Sequence, residues 1–246
     1  MNSLAIQTYG AGSPVVLFHG WGFDSHIWDT LIPDLLELPH AYQIILVDLP
    51  GFGQSPLLSW SDFKQQLFAA VPRPFSVLAW SLGGLFATRL AKEAPDKIKK
   101  LLLVASTPYF MQAPNWVGIA PETLNDFYQQ LISTPQITRQ QFIRSQLPAD
   151  MYAEETPLAP VDSKLFLGLH EGLLILKHWD LRRYLSQLTM PVAYLFGRLD
   201  RIVSHKTLGI LQDTFPQFHY SLLPHAGHMP FLSHRTGFIH WFKEHA

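Results

Sequence analysis

Short apolar runs, rich in β-branched and aromatic residues, recur along the chain with helical spacing between them. They fall at residues 4–8, 15–18, 42–47, 75–79, 98–105, 192–196 and 219–223. The later runs are almost unbroken in apolar residues, as strands are when both faces of a parallel sheet are covered. Patterns with helical period over 28–38, 61–70, 82–93, 205–214 and 231–243 supply the covers. This alternation predicts an α/β fold: a mostly parallel sheet with helices on both faces.

One interval breaks the rhythm. Between Ser106 and Pro191 lie roughly 80 residues with helical patterns and few strand signals, too long for a bare loop in a compact domain. Short helices are expected over 121–132, 139–147, 163–177 and 181–188, separated by turns that contain proline. The expected organisation is therefore a core formed by 1–108 and 189–246, with 109–188 inserted as a helical lid.

Charge narrows the partners. The 246 residues carry 18 Lys plus Arg against 19 Asp plus Glu, so no global field favours nucleic acid or an anionic membrane. The cluster Lys97, Lys99, Lys100 reads as a solvated end of a helix and strand. Cysteine is absent, which removes thiolate metal sites and a cysteine nucleophile together. The first residues lack a basic segment followed by an apolar one, and no apolar stretch approaches the ~20 residues that span a bilayer. A cytoplasmic protein is expected, with a monomer as the default state.

The sharpest local feature is Leu78-Ala79-Trp80-Ser81-Leu82-Gly83-Gly84, between an expected strand and an expected helix. A serine on such a turn projects its hydroxyl above the sheet, over a helix N-terminus. Small residues two before and two after it let the two backbones approach. A serine hydroxyl needs a base, and the base needs an orienting carboxylate. Asp200 follows the run 192–196, and His228 follows the run 219–223, so both fall at ends of late strands, where ligands bind open α/β sheets. His225 is the competing base. Asp48 reads as the holder of the turn Leu49-Pro50-Gly51-Phe52-Gly53, and His19 as support for the loop His19-Gly20-Trp21-Gly22. His234 and His240 read as surface or packing residues of the last helix. A tetrahedral intermediate needs preorganised donors for its oxyanion, and the backbone N–H groups of Trp21 and Leu82 are the expected pair. Metal readings fail: His170-Glu171 lacks the second histidine of H-e-x-x-H, and His225 with His228 lacks a third ligand. No dinucleotide fingerprint follows the first strand, and the serine mechanism needs no cofactor.

These residues resemble those of the α/β-hydrolases. More narrowly, the chain resembles the pimeloyl-[acyl-carrier protein] methyl ester carboxylesterases of biotin synthesis, over nearly its full length. The resemblance rests on His19-Gly20-Trp21-Gly22, on the segments 47–53 and 80–85, and on Gly197-Arg198-Leu199-Asp200 with the segment 228–234. The stretches 116–119, 127–131 and 172–177 in the lid narrow it to this family. It implies Ser81 as nucleophile, His228 as general acid and base, and Asp200 as its orienting carboxylate. It also implies that Trp21 and Leu82 line the substrate carbonyl, and that Phe142, Ile143, Arg144, Ser145 and Gln146 contact the acyl chain. Phe110, Trp116, Phe127, Phe142, Phe166 and Leu173 could line an apolar trough for that chain.

The implied partner is an acyl-carrier protein bearing the substrate. The chain departs from the family at Ala79, which replaces the elbow glycine. It departs again over 145–163, which has no Lys or Arg but holds Asp150, Glu154, Glu155 and Asp162. Arg139 and Arg144 remain, and Lys164, Lys177, Arg182 and Arg183 are the other positions for docking. The rival readings are a generalist short-chain esterase, a C–C bond hydrolase with the same triad, and a ligand receptor on the same scaffold.

Overall fold

The computed structural model describes residues 3–146 and 159–246. Its sheet has seven strands in the order β1-β3-β2-β4-β5-β6-β7. These are β1 (Ile6–Gly10), β2 (Ser13–Phe18), β3 (Tyr42–Val47), β4 (Phe75–Trp80), β5 (Ile98–Val104), β6 (Val192–Gly197) and β7 (His219–Leu223). Only β1 runs antiparallel, against β3; every other pairing is parallel.

The period-2 geometry of strands divides the core into two layers. Val16, Phe18, Val77, Ala79, Leu101, Leu103, Tyr194 and Phe196 point to one face. There they meet Phe63 and Leu67 of α2 (Trp60–Ala70), Leu85 and Leu90 of α3 (Leu82–Glu93), and Leu211 of α8 (Lys206–Thr214). Val15, Leu17, Leu78, Trp80, Leu102, Val104 and Leu195 point to the other face. That face is closed by Leu35 of α1 (Ile32–Leu36) and by Phe238, Trp241 and Phe242 of α10 (Arg235–His245). β4 and β6 are buried along their whole length, which is why their sequences show no polar alternation.

Between β5 and β6 stand α4 (Pro121–Ser133), α5 (Pro135–Gln146), α6 (Ser163–His178) and α7 (Arg182–Leu185). They add Leu124, Leu131, Leu169, Leu173 and Leu185 to the first core layer. No helix among the described residues is long and apolar enough to cross a membrane.

Several element bounds differ from expectation, each for a local reason. β1 forms at Ile6–Gly10 rather than 4–8, because the N–H groups of Leu4 and Ala5 donate to the side chains of Gln66 and Ser55. The helix expected at 28–38 opens as a tight 3₁₀ segment at Ser25–Leu31, capped by Asp24, and is α-helical only over Ile32–Leu36. The expected helix 139–147 starts earlier, at Pro135, where a proline needs no N–H partner; residue 147 lies outside the described residues. The one expected at 181–188 is the single turn of α7. The last helix is split: α9 (Pro230–Ser233) ends before His234, whose φ of −134° and ψ of 48° are not helical, and α10 starts anew.

Candidate active site

The turn between β4 and α3 puts Ser81 at φ 54° and ψ −120°, a conformation costly for a residue with a side chain. The neighbours hold it there. Ser81 N–H donates to the Val104 carbonyl at 3.0 Å, and its own carbonyl accepts from Gly84 N–H at 2.9 Å and Ser106 Oγ at 2.8 Å. A Cβ on Gly83 would stand 2.7 Å from the His19 carbonyl oxygen, and one on Gly84 2.1 Å from Ser106 Oγ. Both glycines are therefore required by close approach. Ala79 is accommodated in β4 with its methyl group buried in the first core layer.

Asp200 and His228 come from the loops after β6 and β7, which interlock: a Cβ on Gly197 would sit 2.2 Å from the Gly227 carbonyl oxygen. His228 Nδ1 lies 2.7 Å from Asp200 Oδ2, and His228 Nε2 lies 2.9 Å from Ser81 Oγ. Asp200 Oδ1 accepts from the N–H groups of Ile202 and Val203 at 2.8 and 2.9 Å, so the carboxylate is fixed from both sides. The His228 carbonyl accepts from Trp80 Nε1 at 2.8 Å, which anchors the backbone behind the ring. With Nδ1–H donating to the carboxylate, Nε2 is left to accept from the Ser81 hydroxyl. Ser81, Asp200 and His228 are 6%, 8% and 4% exposed. His225 is exposed on the surface, away from this relay.

The loop after β2 runs beside the serine. A Cβ on Gly20 would come within 3.2 Å of Ser81 Cβ. The Trp21 backbone N–H makes no hydrogen bond among the described residues. Leu82 opens α3, where first-turn N–H groups have no partner inside the helix and the dipole favours negative charge. Behind the loop, His19 Nε2 accepts from Leu49 N–H at 2.9 Å while Nδ1 faces the Gly20 carbonyl at 2.8 Å. Burial holds the His19 ring below its ordinary pKa. Asp48 accepts from Ser25 N–H at 2.8 Å and Gln54 N–H at 2.7 Å, and so ties the glycine-rich turn.

Helices α5 and α6 grip this loop through contacts that the sequence reading missed. The Trp21 indole donates to the Leu169 carbonyl at 2.8 Å and meets Phe142 and Phe127 edge-on, with centroids 4.8 and 5.4 Å away. Arg139, buried and with no carboxylate partner among the described residues, donates to the Gly22 carbonyl at 2.8 Å. A usable signal was present: Gly168 and Gly172 interrupt an otherwise good helix pattern, which marks a close approach.

A cavity of about 190 Å³ opens over Ser81. Its lining includes Trp21, Phe110, Phe127, Phe142 and Leu173 of the expected residues, with Arg201 at the rim. Trp116 and Phe166 do not line it. Trp116 Nε1 is bonded to the Tyr109 carbonyl, and Phe166 lies by His170. Of the expected α5 residues, Phe142 alone enters the cavity. Ile143 is buried in the second core layer, and Arg144 and Ser145 are exposed. Gln146 turns back to donate to the Phe142 carbonyl, leaving its Oε1 buried and without a partner among the described residues. Among the described residues no three His, Cys, Asp or Glu side chains gather as a metal site.

Comparison with known proteins identifies the family. The alpha/beta hydrolase family matches residues 15–241. The chain belongs to that family. Among its relatives, pimeloyl-[acyl-carrier protein] methyl ester esterase from Legionella pneumophila (strain Corby) is 43% identical over 98% of this chain and 98% of its own length. The Aeromonas salmonicida (strain A449) protein of the same name is 36% identical over 96% of both. Two solved structures share the hydrolase fold at low identity. An esterase from Exiguobacterium antarcticum superposes with a TM-score of 0.87 at 19% identity, covering 98% of this chain and 94% of its own. A bromoperoxidase from Bacillus anthracis gives 0.82 at 20% identity, covering 97% and 93%. Their differing titles are a reminder that the hydrolase fold alone does not set the reaction.

Proposed function

We propose that this alpha/beta hydrolase is a serine carboxylic ester hydrolase that cleaves the methyl ester of pimeloyl-[acyl-carrier protein]. The observation that carries the chemistry is the unbroken relay from Ser81 Oγ through His228 to Asp200. The substrate rests on the relatives' names at up to 43% identity across nearly the whole chain.

In this reading Ser81 Oγ attacks the methyl ester carbonyl as its proton passes to His228 Nε2. Asp200 orients the imidazole and stabilises its charged form. The N–H groups of Trp21 and Leu82 hold the oxyanion, each worth roughly 3–4 kcal/mol of barrier. Protonated His228 then hands its proton to the departing methoxide, and water repeats the sequence on the acyl-enzyme. The products are methanol and a free-carboxylate thioester. Residues 109–188 act as the lid over a core of 1–108 and 189–246, and Phe142 is the α5 side chain that meets the acyl chain. The enzyme works as a cytoplasmic monomer on a substrate delivered by the carrier protein, without a cofactor.

Ser81→Ala assayed on a chromogenic short-acyl ester is expected to lose activity by about 10⁴-fold or more. Equal rates for the two proteins would remove Ser81 as nucleophile, and no turnover by either would favour a receptor. The substrate is tested by rescue of biotin-requiring cells that lack their own methyl esterase. Failure with good expression and intact ester hydrolysis would leave a generalist esterase.

A further inference from the structure

The cavity over Ser81 continues into a second one of about 230 Å³, and the two share Phe110, Ile119, Thr123, Arg201 and Ile202. The first is apolar apart from Ser81 and Thr123 at its wall; the second adds the hydroxyls of Thr107, Ser204 and Thr207. Arg201 is the one charged residue lining either cavity. Its side chain is exposed at their junction and makes no hydrogen bond or ion pair among the described residues. The adjacent Asp200 forms no ion pair with it; the Asp200 oxygens accept from Ile202 and Val203 and face His228.

We infer that Arg201 receives a carboxylate at the far end of the acyl chain, so that the enzyme also hydrolyses free monomethyl esters of dicarboxylic acids. This rests on Ser81 being the nucleophile. An apolar cavity whose junction with a hydroxyl-lined one carries a guanidinium unpaired among the described residues matches an apolar chain with an anion at its tip. The first cavity, about 190 Å³, is on the scale of a short acyl chain. Arg201 follows the residue that bonds the His228 ring, so a short chain reaches it. The phosphate of a long prosthetic arm would lie well beyond. In the reaction Ser81 Oγ bonds to the ester carbonyl carbon, the bond from that carbon to the methoxy oxygen breaks, and methoxide leaves with the serine's proton as methanol. Water then cleaves the acyl-enzyme, restores the Ser81 hydroxyl and releases the dicarboxylic acid.

The test compares kcat/KM for methyl hydrogen heptanedioate and for methyl heptanoate, which differ only in the terminal carboxylate. Wild type is expected to favour the charged ester by about ten-fold, as a charge-assisted pair at a cavity rim would give. Arg201→Gln is expected to bring that ratio close to one, Arg201→Lys to keep part of it, and Arg201→Glu to invert it. An equal fall on both esters would mean that Arg201 acts through Asp200, and would overturn the inference. So would an unchanged ratio, or a preference expressed only when the ester is carried on a phosphopantetheine thioester. Wild-type hydrolysis of methyl heptanoate without charge preference would sink this inference alone. No hydrolysis of either ester would sink the esterase reading with it.

Discussion

His19 does its work without touching the relay. Its ring accepts from Leu49 N–H inside the core, and burial holds its pKa below the ordinary value of 6.5. Between that depressed value and 6.5 the unfolded chain binds more protons than the folded one, so stability rises with pH across the window. The contribution is complete above 6.5 and is lost as pH falls through the folded value. His19→Leu leaves Leu49 N–H buried without an acceptor, at a cost of about 1–3 kcal/mol. Urea midpoints at pH 7.5 and 5.5 should show the variant weaker at the higher pH, with a shallower loss on acidification. At this scale the sequence was most legible where it pointed to Ser81, Asp200 and His228, which the fold brings within hydrogen-bond reach of one another. It was silent on the Trp21 indole, whose acceptor is the backbone carbonyl of Leu169, 148 residues away. A backbone oxygen carries no residue-type signature, so no motif could announce it. The same holds for Arg139, whose exposure or burial depends on where Gly22 ends up.

Helix α6 meets the site through two glycines four residues apart, and hence on one face of the helix. A Cβ on Gly168 would stand 2.1 Å from the Gly51 carbonyl oxygen, backbone against backbone, where nothing flexible can yield. Gly168→Ala should therefore lift α6 away and lower stability by about 1–3 kcal/mol, read as a drop in the urea midpoint. Gly172 faces a different neighbour: its Cβ would come 2.7 Å from Cδ1 of the Trp21 indole, a side chain rather than backbone. Gly172→Ala should accordingly spare most of the stability but displace Trp21, and with it the loop beside Ser81. A fall in kcat/KM of about ten-fold on a short-acyl ester is expected, since small misplacements near the reacting atoms are costly. An unchanged rate would show that the indole does not set the loop. Elements were legible where one period held throughout: α3 spans Leu82–Glu93 and β3 spans Tyr42–Val47, both as expected. They were misread where side chains compete for backbone groups. The single helix expected near the C-terminus breaks at His234 because Ser233 Oγ donates to the Met229 carbonyl and His234 Nδ1 turns to Ser233.

Across the whole molecule, the parallel sheet was readable because strands covered on both faces admit few polar residues, whereas the docking face was not, since it depends on which cations are already engaged. Asp150, Glu154 and Glu155 lie outside the described residues. Of the candidate docking cations, Lys164 donates to the Gly53 carbonyl and Lys177 reaches Asn125. Arg182 is bonded to Asp180 and stacks over Tyr109 and Trp116. Arg183 and Arg144 are exposed and make no ion pair among the described residues. The net charge of −1 adds no long-range attraction for an acidic partner. A carrier protein that meets only a few free cations should bind with weak electrostatic steering, because steering grows with the number of unpaired charges and is screened within about 8–10 Å at ordinary salt. Raising salt from low to several times physiological strength should therefore reduce kcat/KM for a carrier-linked methyl ester by less than about ten-fold. Turnover of an uncharged free ester supplies the baseline, since it has no charge to screen. A steep fall for the carrier-linked substrate alone would mean that cations beyond Arg144 and Arg183 join the docking face. Arg182→Gln would then separate the cases, by lowering the salt slope only if its bond to Asp180 opens on docking.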